Sequence, residues 1–300
     1  MKTTLDSTTI AKIQTQSDMN EFVSSLGLTS KTVIVKPNWI DALNGTHTDA
    51  KVLDLLLTSL SGKKIYIVES YTFWRTKEMT DGGKDCFSSK EADFEKGKQH
   101  WQHFQKQDQW FLKYTGIDKV LEKHNATYLN VTNELWQENS QDLIPQKINL
   151  LAGSDFISLA KLKGDGEYGA TLSIKNFFGL YPDPKRNKYH GEDDEKVQDS
   201  ILKINQIYQK LFNCFFIVEG VFTASHVDWE NKGSQSFKDF GIILGGKDGY
   251  EVDSYALKLM GRQFSGALID LLPNYKKIFG GSFSNLEIPE NLKINFSIKL

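Results

Sequence analysis

The stretch DFISLAKLKGDGEYGATLSIKN, residues 155–176, begins with an apolar run and continues through Lys161 and Lys163. A short apolar run bounded by polar or turn residues is typical of a buried strand in a parallel sheet. Five further runs share this pattern, at residues 33–35, 65–68, 127–131, 215–218 and 241–244. Stretches with helical periodicity lie between them, at residues 49–60, 197–212 and 250–260, and Thr48 is the expected N-cap of the first. The alternation predicts an α/β fold with a mostly parallel sheet, flanking helices and two lobes around a cleft.

Residues 72–114 depart from this alternation and are interpreted as a helical, aromatic-rich insertion. The aromatic residues of its helical part include Trp101, Phe104, Trp110 and Phe111. Two alternatives follow from this composition. Either the insertion is a mobile cover over a site, hinged near Gly82 and Gly83, or its rings pack into the core. Because no repeat or linker divides the chain, residues 1–300 are expected to form a single domain.

The charge of the chain is nearly balanced, with 36 Lys and Arg residues against 38 Asp and Glu residues and a net charge of −2. A chain without a global positive field is not expected to bind nucleic acid. No uncharged apolar run approaches the roughly 20 residues that span a bilayer, and the N-terminal residues lack the apolar stretch of a secretory signal. We therefore expect a cytoplasmic protein that binds neither nucleic acid nor membranes.

The sequence lacks the motifs of several common cofactor sites. Its two cysteines, Cys86 and Cys214, are far apart and form no CxxC pair, so no iron–sulfur cluster is expected. Neither a GxxxxGK[ST] loop nor a GxGxxG motif after the first strand is present. Nucleotide hydrolysis and dinucleotide-dependent hydride transfer are therefore not expected, and the sequence specifies no cofactor.

Charged residues follow most of the predicted strands. They are Lys36, Glu69, Lys161, Lys163, Glu219, Lys247 and Asp248. In an open parallel sheet the carboxyl ends of the strands meet at one edge, where ligands bind. These side chains are therefore expected to form a shared polar site. The alternative is that each strand simply ends where the chain meets water.

The stretch 161–195 combines lysines and arginines with several glycines. Cations beside exposed backbone N–H groups suit an anionic ligand such as a carboxylate or a phosphate. The sequence therefore predicts an anionic small-molecule substrate. The side chains expected to bind it are Lys36, Asn38, Lys161, Lys163, Asn176 and Glu219.

Three residues of the same stretch are candidates for catalysis, namely Lys175, His190 and Asp165. Two phenylalanines follow close behind Lys175 and are expected to desolvate its amine partly, and burial prepares a lysine to act as a base or a nucleophile. His190 has acidic neighbours and suits proton transfer or metal binding near neutral pH. Asp165 supplies a carboxylate that can act as a base or as a ligand of a hard metal. The alternatives are a structural ion pair for Lys175 and an exposed loop position for His190.

Several of these residues form motifs that resemble a family of proteins known as domain-of-unknown-function family 362. The first motifs are KPN at residues 36–38 and ES at residues 69–70. The most specific is the stretch 161–190, which has a lysine doublet, then TLSIKNFFGL, then a histidine. It is followed by VEG at residues 218–220 and GGKDGYEVD at residues 245–253. The resemblance covers most of the chain and implies no settled reaction.

The chain departs from the family pattern at two points. Many members resemble ferredoxins through an added cysteine-rich cluster, which this sequence does not have. Members usually carry a histidine where this sequence has Asp165, which weakens metal ligation at that position. The same segment shows a more remote resemblance to the lactate racemase family, in which the positions matching Lys175 and His190 tether a nickel-pincer cofactor and bind nickel. We take from this second resemblance the location of a site and not the nickel chemistry.

An enzyme is the preferred functional interpretation. It would act on an anionic metabolite as an isomerase or lyase, by proton transfer or carbonyl chemistry centred on Lys175 and His190. A non-catalytic anion-binding protein is the first alternative. A metalloenzyme that uses His190 with carboxylates is the second, and its further candidate ligands are His47, Glu219 and Asp253.

Overall fold

The computed structural model describes residues 1–43, 45–81, 93–165, 169–222, 224–226 and 236–296. In this part of the chain, eight strands form one sheet and four short strands form two ribbons, which pair β7 with β8 and β10 with β11. The strands are β1 (Lys2–Leu5), β2 (Thr8–Lys12), β3 (Thr32–Lys36), β4 (Lys64–Glu69), β5 (Thr127–Asn130), β6 (Asp155–Lys161), β7 (Lys163–Asp165), β8 (Gly169–Thr171), β9 (Asn213–Gly220), β10 (Ala224–His226), β11 (Ser236–Lys238) and β12 (Ile242–Gly246).

The strands of the sheet lie in the order β1-β2-β12-β9-β6-β3-β4-β5. Strands β9, β6, β3, β4 and β5 are mutually parallel, whereas β12 is antiparallel to both β9 and β2. The chain moves outward from β3 through β4 to β5 and then returns to β6 on the other side of β3. The strand order therefore reverses between β3 and β6. In sheets of this kind, ligands bind beyond the carboxyl ends of the strands at such a switch point.

The helices connect the strands and cover the sheet. They are α1 (Gln16–Leu26), α2 (Ala50–Ser59), α3 (Lys77–Thr80), α4 (Phe94–Gly97), α5 (Trp101–Tyr114), α6 (Ile117–Lys123), α7 (Val131–Glu138), α8 (Gln146–Asn149), α9 (Ser173–Asn176), α10 (Asn187–His190), α11 (Val197–Leu211), α12 (Gly249–Met260) and α13 (Leu271–Phe279). None of the helices in the described residues combines the length and the apolar composition that crossing a bilayer requires.

Apolar side chains pack on both faces of the sheet because strand residues alternate between the faces. Ile34 and Phe156 belong to the core beneath α7, α9, α11 and α12, which we call the α11 face. Val35 and Ile157 belong to the core beneath α1, α2 and α6, which we call the α2 face. The predicted α/β fold with a mostly parallel sheet and flanking helices is confirmed. The division into two lobes stays a prediction.

The six apolar runs of the sequence fall on β3, β4, β5, β6, β9 and β12. The pattern does not predict the N-terminal hairpin β1–β2, because its residues are mostly threonine and lysine, and only β2 is buried beside β12. The first predicted helix is α2, but its N-cap is Asp49 and not Thr48. The Asp49 Oδ1 atom accepts the backbone N–H of Val52 at 3.3 Å. The hydroxyl of Thr48 donates instead to the carbonyl oxygen of Leu159, at 3.3 Å.

Helices α3, α4 and α5 occupy the predicted insertion, and α5 packs against the end of the sheet. Phe104 and Phe111 of α5 are buried. The ring of Phe104 stacks on Tyr71 with centroids 5.6 Å apart, and the ring of Phe111 lies 5.6 Å from Trp39. These contacts favour the inward-packing alternative for the two phenylalanines, while Trp101 and Trp110 are half-buried. The hinge predicted near Gly82 and Gly83 lies outside the described residues.

Candidate functional site at the switch point

Polar side chains crowd the carboxyl edge of the sheet at β3, β6 and β9. Lys36 ends β3 and is in register with Ser158, while Lys161 ends β6 and is in register with Glu219 of β9. All four side chains are buried. Because burying a charged group is unfavourable unless the group is paired, the partners of each lysine define the chemistry of this edge.

The amine of Lys36 is enclosed by three acceptors. Its Nζ lies 2.6 Å from Glu69 Oε1, 2.7 Å from the carbonyl oxygen of Pro37 and 3.2 Å from Asn176 Oδ1. Burial lowers the pKa of Lys36 to about 8, although the charge of Glu69 opposes this shift. A lysine with such a pKa gains and loses a proton near neutral pH, as a general acid or base must.

Asn176 fixes the geometry around Lys36. Its Oδ1 accepts both the Lys36 amine and Asn38 Nδ2, the latter at 3.0 Å, and its Nδ2 donates to the Lys36 carbonyl oxygen and to Ser158 Oγ, each at 3.1 Å. The orientation of the amide is therefore set from both sides. Asn38 Oδ1 is buried and has no hydrogen-bond partner among the described residues. This oxygen is an acceptor that a ligand can use.

The backbone at Gly179 lies directly against the Lys36–Glu69 pair. A Cβ atom at Gly179 would lie 2.7 Å from Lys36 Nζ and 3.3 Å from Glu69 Oε2. Its carbonyl oxygen accepts the hydroxyl of Ser70 and, at 3.2 Å, the Nη2 of Arg186. A residue without a side chain is needed here because the turn approaches the buried pair so closely.

The amine of Lys161 lies between two carboxylates, 3.0 Å from Asp49 Oδ2 and 3.0 Å from Glu219 Oε1. Burial disfavours the charge of Lys161, but the two carboxylates outweigh burial and hold the pKa of Lys161 above its usual value. Burial raises the pKa of Glu219 to about 8, against the opposing charge of Lys161. For Asp49, burial is outweighed by Lys161 together with the Val52 N–H and His47, so its pKa is lowered. The group thus combines a charged Lys161–Asp49 pair with an acid, Glu219, that titrates near neutral pH.

The loop 37–49 adds further polar groups beside Lys161. The amine of Lys163 donates to the carbonyl oxygen of Thr46 at 2.7 Å, and the hydroxyl of Thr46 bonds to Asp41. His47 is buried near Asp41 and Lys161, and burial lowers the pKa of His47 against the charge of Asp41. The Oδ2 atom of Asp41 is buried without a hydrogen-bond partner among the described residues.

The charged residues of this edge form two clusters, and the lysines at their centres project from opposite faces of the sheet. By alternation along each strand, Lys36 shares the side of Ile34 on the α11 face, and Lys161 shares the side of Leu159 on the α2 face. We define the Lys36 cluster as Lys36, Glu69, Ser70, Asn176 and Arg186. We define the Lys161 cluster as Lys161, Asp49, Glu219, His47 and Asp41. Within the described residues the two lysines share no hydrogen-bond or ion-pair partner.

Lys175 and Asn176 lie on α9, a single helical turn that Asp253 of α12 holds in place. The carboxylate of Asp253 accepts the backbone N–H groups of Ser173 and Ile174, each at 3.0 Å. Burial raises the pKa of Asp253 to about 7, against these hydrogen bonds. Asn176 is buried, whereas Lys175 is half-buried. Asp253 therefore acts as a positioning residue for both side chains.

His190 ends α10 and is half-buried. Its Nδ1 lies 2.6 Å from Asp194 Oδ1, and its ring packs edge-on against Phe178 with centroids 4.9 Å apart. Burial lowers the pKa of His190, Asp194 opposes the shift, and the positive charges of Lys175 and Arg186 lower the pKa further. His190 and Lys175 are therefore close enough to interact electrostatically, on the side of the Lys36 cluster.

Sequence reasoning missed Arg186, which the structure places in the Lys36 cluster. Its Nη2 donates to Ser70 Oγ at 2.8 Å, and burial lowers the pKa of Arg186 to about 10. The only signal in the sequence is the PDPKR segment at residues 182–186, which indicates a turn. An arginine in a turn is usually exposed, so the sequence alone does not indicate that this one is buried.

Two further predictions concern a catalytic carboxylate at Asp165 and a metal site. Asp165 ends β7, and its side chain lies outside the described residues. Among the residues that the structure describes, no three His, Cys, Asp or Glu side chains are grouped as a metal ion would need. The four ligands considered for a metal site are dispersed, since His47 and Glu219 lie in the Lys161 cluster, His190 contacts Asp194, and Asp253 holds α9.

The fold and this edge define an α/β protein with buried polar side chains clustered at the switch point of a mostly parallel sheet. Residues 33–258 match the family model described as Domain of unknown function (DUF362), and the chain belongs to that family. No curated protein and no solved structure matched the chain. The resemblance to the lactate racemase family is not supported by these comparisons and stays a prediction.

Proposed function

We propose that the protein is an enzyme of isomerase or lyase type that moves a proton to or from an anionic small metabolite at the Lys36 cluster. One observation carries this proposal. The buried Lys36 amine faces Glu69 and Asn176 at the switch point of the sheet, and the backbone of Gly179 lies against it. This is the position at which open α/β sheets bind their ligands.

The charge around Lys36 supports an anionic substrate. Lys36 is paired with Glu69, but Arg186 is buried and forms no ion pair among the described residues. His190 lies close enough to Arg186 and to Lys175 to interact electrostatically with each of these cations. A carboxylate or phosphate group would balance this positive charge through charge-assisted hydrogen bonds.

The geometry around Lys36 supports proton transfer. Its amine is held at three acceptor atoms, so a bound substrate meets it in a defined orientation. A pKa of about 8 for Lys36 lets this amine act as a base near neutral pH. We assign the second proton-transfer role to Lys175 and His190, and substrate orientation to Asn38 and Asn176. Lys161 and Glu219 point to the α2 face, and Lys163 of β7 donates to Thr46. We assign these three residues to holding the loop 37–49 in place.

Solvent deuterium exchange tests this function without knowledge of the full reaction. The protein is incubated in D2O with a panel of carboxylate and phosphate metabolites, and deuterium at carbon is measured by mass spectrometry and NMR. The wild-type protein is expected to label at least one metabolite. Lys36→Met is expected to slow this labelling by about 10²–10⁴-fold, the usual contribution of a general acid or base.

The matched control is Lys203→Met, which removes an exposed lysine on α11 outside the cluster. This variant is expected to label the metabolite at the wild-type rate. Labelling by a well-folded Lys36→Met at the wild-type rate contradicts the role of Lys36. If the wild-type protein binds a metabolite but does not label it, the proposal of an enzyme is contradicted, and the alternative of a non-catalytic anion-binding protein is favoured.

A further inference from the structure

Two buried arginines reach the same residue, Ser70, but only one of them contacts a carboxylate. Arg75 is 2% exposed, and its Nη2 lies 2.6 Å from Asp108 Oδ1 and 2.9 Å from the Ser70 carbonyl oxygen. Arg186 is 5% exposed, and its Nη2 donates only to neutral oxygens, those of Ser70 Oγ, the Gly179 carbonyl and the Tyr71 carbonyl. Among the described residues, no carboxylate therefore contacts the Arg186 guanidinium as Asp108 contacts that of Arg75, although Glu69 and Asp183 attract its charge without an ion pair.

A buried guanidinium that contacts no carboxylate is unfavourable in the absence of a ligand. Burial lowers the pKa of Arg186. For Arg75, burial is outweighed by Asp108 together with Tyr128 and Glu69, so its pKa is raised. The Nε atoms of both arginines are buried without partners. The missing carboxylate, and not the free Nε, is thus the feature that distinguishes Arg186. A planar guanidinium with unused donors is suited to a carboxylate or phosphate group.

The backbone holds Arg186 in place for such a ligand. Its φ of 61° lies in the left-handed region, which side-chain-bearing residues rarely adopt. The carboxylate of Asp183 stabilises this conformation by accepting the Arg186 backbone N–H at 2.9 Å. The preceding residues are anchored as well, since the Pro182 carbonyl accepts the Thr132 hydroxyl and the Pro184 carbonyl accepts a backbone N–H. A fixed guanidinium binds an anion without first losing conformational freedom.

Arg186 lies between the buried residues of the Lys36 cluster and half-buried residues nearer the surface. Its charge interacts with Lys36 and Glu69 on the buried side. It also interacts with half-buried His190, whose neighbour Lys175 is half-buried too. We propose that Arg186 is the specificity-determining residue that binds the oxyanion, carboxylate or phosphate, of the substrate. This inference rests on the proposed function and names the group of the substrate that the site recognises.

Thermal unfolding with two simple oxyanions tests the role of Arg186 directly. The melting temperature is measured in inorganic phosphate and in acetate, with sodium chloride keeping the ionic strength constant. Because a ligand that binds only the folded state stabilises it, the wild-type melting temperature is expected to rise with one or both ions. A rise with phosphate alone indicates a phosphate ester as the substrate class, and a rise with acetate alone indicates a carboxylate.

Two substitutions separate binding from structure. Arg186→Met is expected to melt at or above the wild-type temperature without added oxyanion and to lose the ion-dependent rise. Arg186→Lys keeps a charge but not the planar fork, and we expect about tenfold weaker binding of the same ion. Lys188→Met, which removes an exposed lysine on α10 of the same segment, is expected to keep the wild-type response.

Three results overturn the inference. The first is a wild-type melting temperature that does not rise with either oxyanion. The second is an oxyanion-dependent rise in Arg186→Met as large as in the wild-type protein. The third is a melting temperature below that of the wild-type protein in both Arg186 variants, together with a full oxyanion-dependent rise in Arg186→Lys. Deuterium exchange distinguishes this failure from that of the proposed function. If the wild-type protein binds oxyanions through Arg186 but labels no metabolite, only the proton-transfer function fails. If Arg186→Met still labels the metabolite at the wild-type rate, only the role of Arg186 fails.

Discussion

Lys36 shows how a single buried charge links folding to pH. Its pKa in the folded protein is about 8, below the usual lysine value of 10.5, because burial outweighs the attraction of Glu69. Between these two pH values the unfolded chain therefore binds more protons than the folded protein. By linkage, the contribution of Lys36 to stability is present above pH 10.5 and is lost as the pH falls towards 8.

We predict that Lys36→Met changes the pH dependence of stability in this window. For the wild-type protein, the part of the free energy of unfolding due to Lys36 rises by on the order of 3 kcal/mol from pH 8 to pH 10.5. The variant is expected to lack this rise. Urea denaturation at a series of pH values measures it, with Lys203→Met as the control. Identical profiles of wild-type and Lys36→Met proteins contradict the displaced pKa.

At the scale of elements, two short pieces of structure place the groups around Lys36. Helix α9 depends on Asp253, which is remote in sequence and accepts its first backbone N–H groups. The 3-10 turn Phe177–Leu180 follows α9 directly and brings Gly179 against the Lys36 amine. Neither piece is long enough to be stable alone. Their positions therefore depend on the buried contacts that they make.

We predict that Gly179→Ala disturbs the Lys36–Glu69 pair. The added Cβ would lie 2.7 Å from Lys36 Nζ and 2.9 Å from Lys36 Cε, and the amine is already confined by three hydrogen bonds. We expect a loss of roughly 1–3 kcal/mol in the free energy of unfolding, as for other overpacked buried sites, together with slower deuterium labelling.

Gly97→Ala is the matched control for this substitution. Gly97 is a buried helical glycine, but its Cβ would meet no atom closer than 3.5 Å. Replacing this glycine is expected to leave stability unchanged or to raise it slightly, because alanine favours helix. Equal effects of the two substitutions would show that the contact with Lys36 does not limit the turn.

At the scale of the whole molecule, the buried Arg75–Asp108 ion pair lies within the insertion, and its two side chains link the insertion to the sheet and to the loop 37–49. Arg75 lies just after β4 and contacts Asp108 of α5, whose other oxygen accepts the hydroxyl of Tyr128 from β5 at 2.9 Å. Arg75 also donates to the carbonyl oxygen of Trp39 in the loop 37–49. One guanidinium thus connects the insertion, the edge of the sheet and the loop that lies beside both clusters.

We predict that this pair is strongly coupled in a double-mutant cycle. Arg75→Met and Asp108→Asn each leave a buried charge alone, and each is expected to lower the free energy of unfolding by about 3–5 kcal/mol. The double variant should lose about 1–3 kcal/mol less than the sum of the two. Hydrogen exchange should be faster along α5 in each single variant.

The control for this cycle is the exposed ion pair Lys77–Asp81. Lys77 begins α3, Asp81 follows its last residue, and their charged groups lie 2.8 Å apart. Both side chains are more than half exposed, so we expect a coupling of only about 0.5 kcal/mol or less. Additive effects of Arg75→Met and Asp108→Asn would mean that α5 is held by its aromatic contacts alone.

The sequence by itself determined six of the eight strands of the sheet and that Lys36 and Lys161 end two of them. Apolar runs such as residues 156–160 have the length and composition of buried strands, and a charged residue after such a run marks its end. Lys36 and Lys161 follow directly from this pattern. The inward packing of Phe104 and Phe111 was one of two alternatives, because aromatic spacing along a helix does not specify what the helix packs against.

Only the tertiary structure decided which charges meet. Lys36 and Lys161 end neighbouring strands, yet they point to opposite faces because the register pairs Lys36 with Ser158 and Lys161 with Glu219. The sequence does not indicate that Arg75 and Arg186 are buried, and only packing brings Asp108 into contact with Arg75 while Arg186 contacts neutral oxygens. Burial and partner choice depend on contacts between distant segments, and the free energy of a buried charge depends on those contacts more than on its neighbours in the chain.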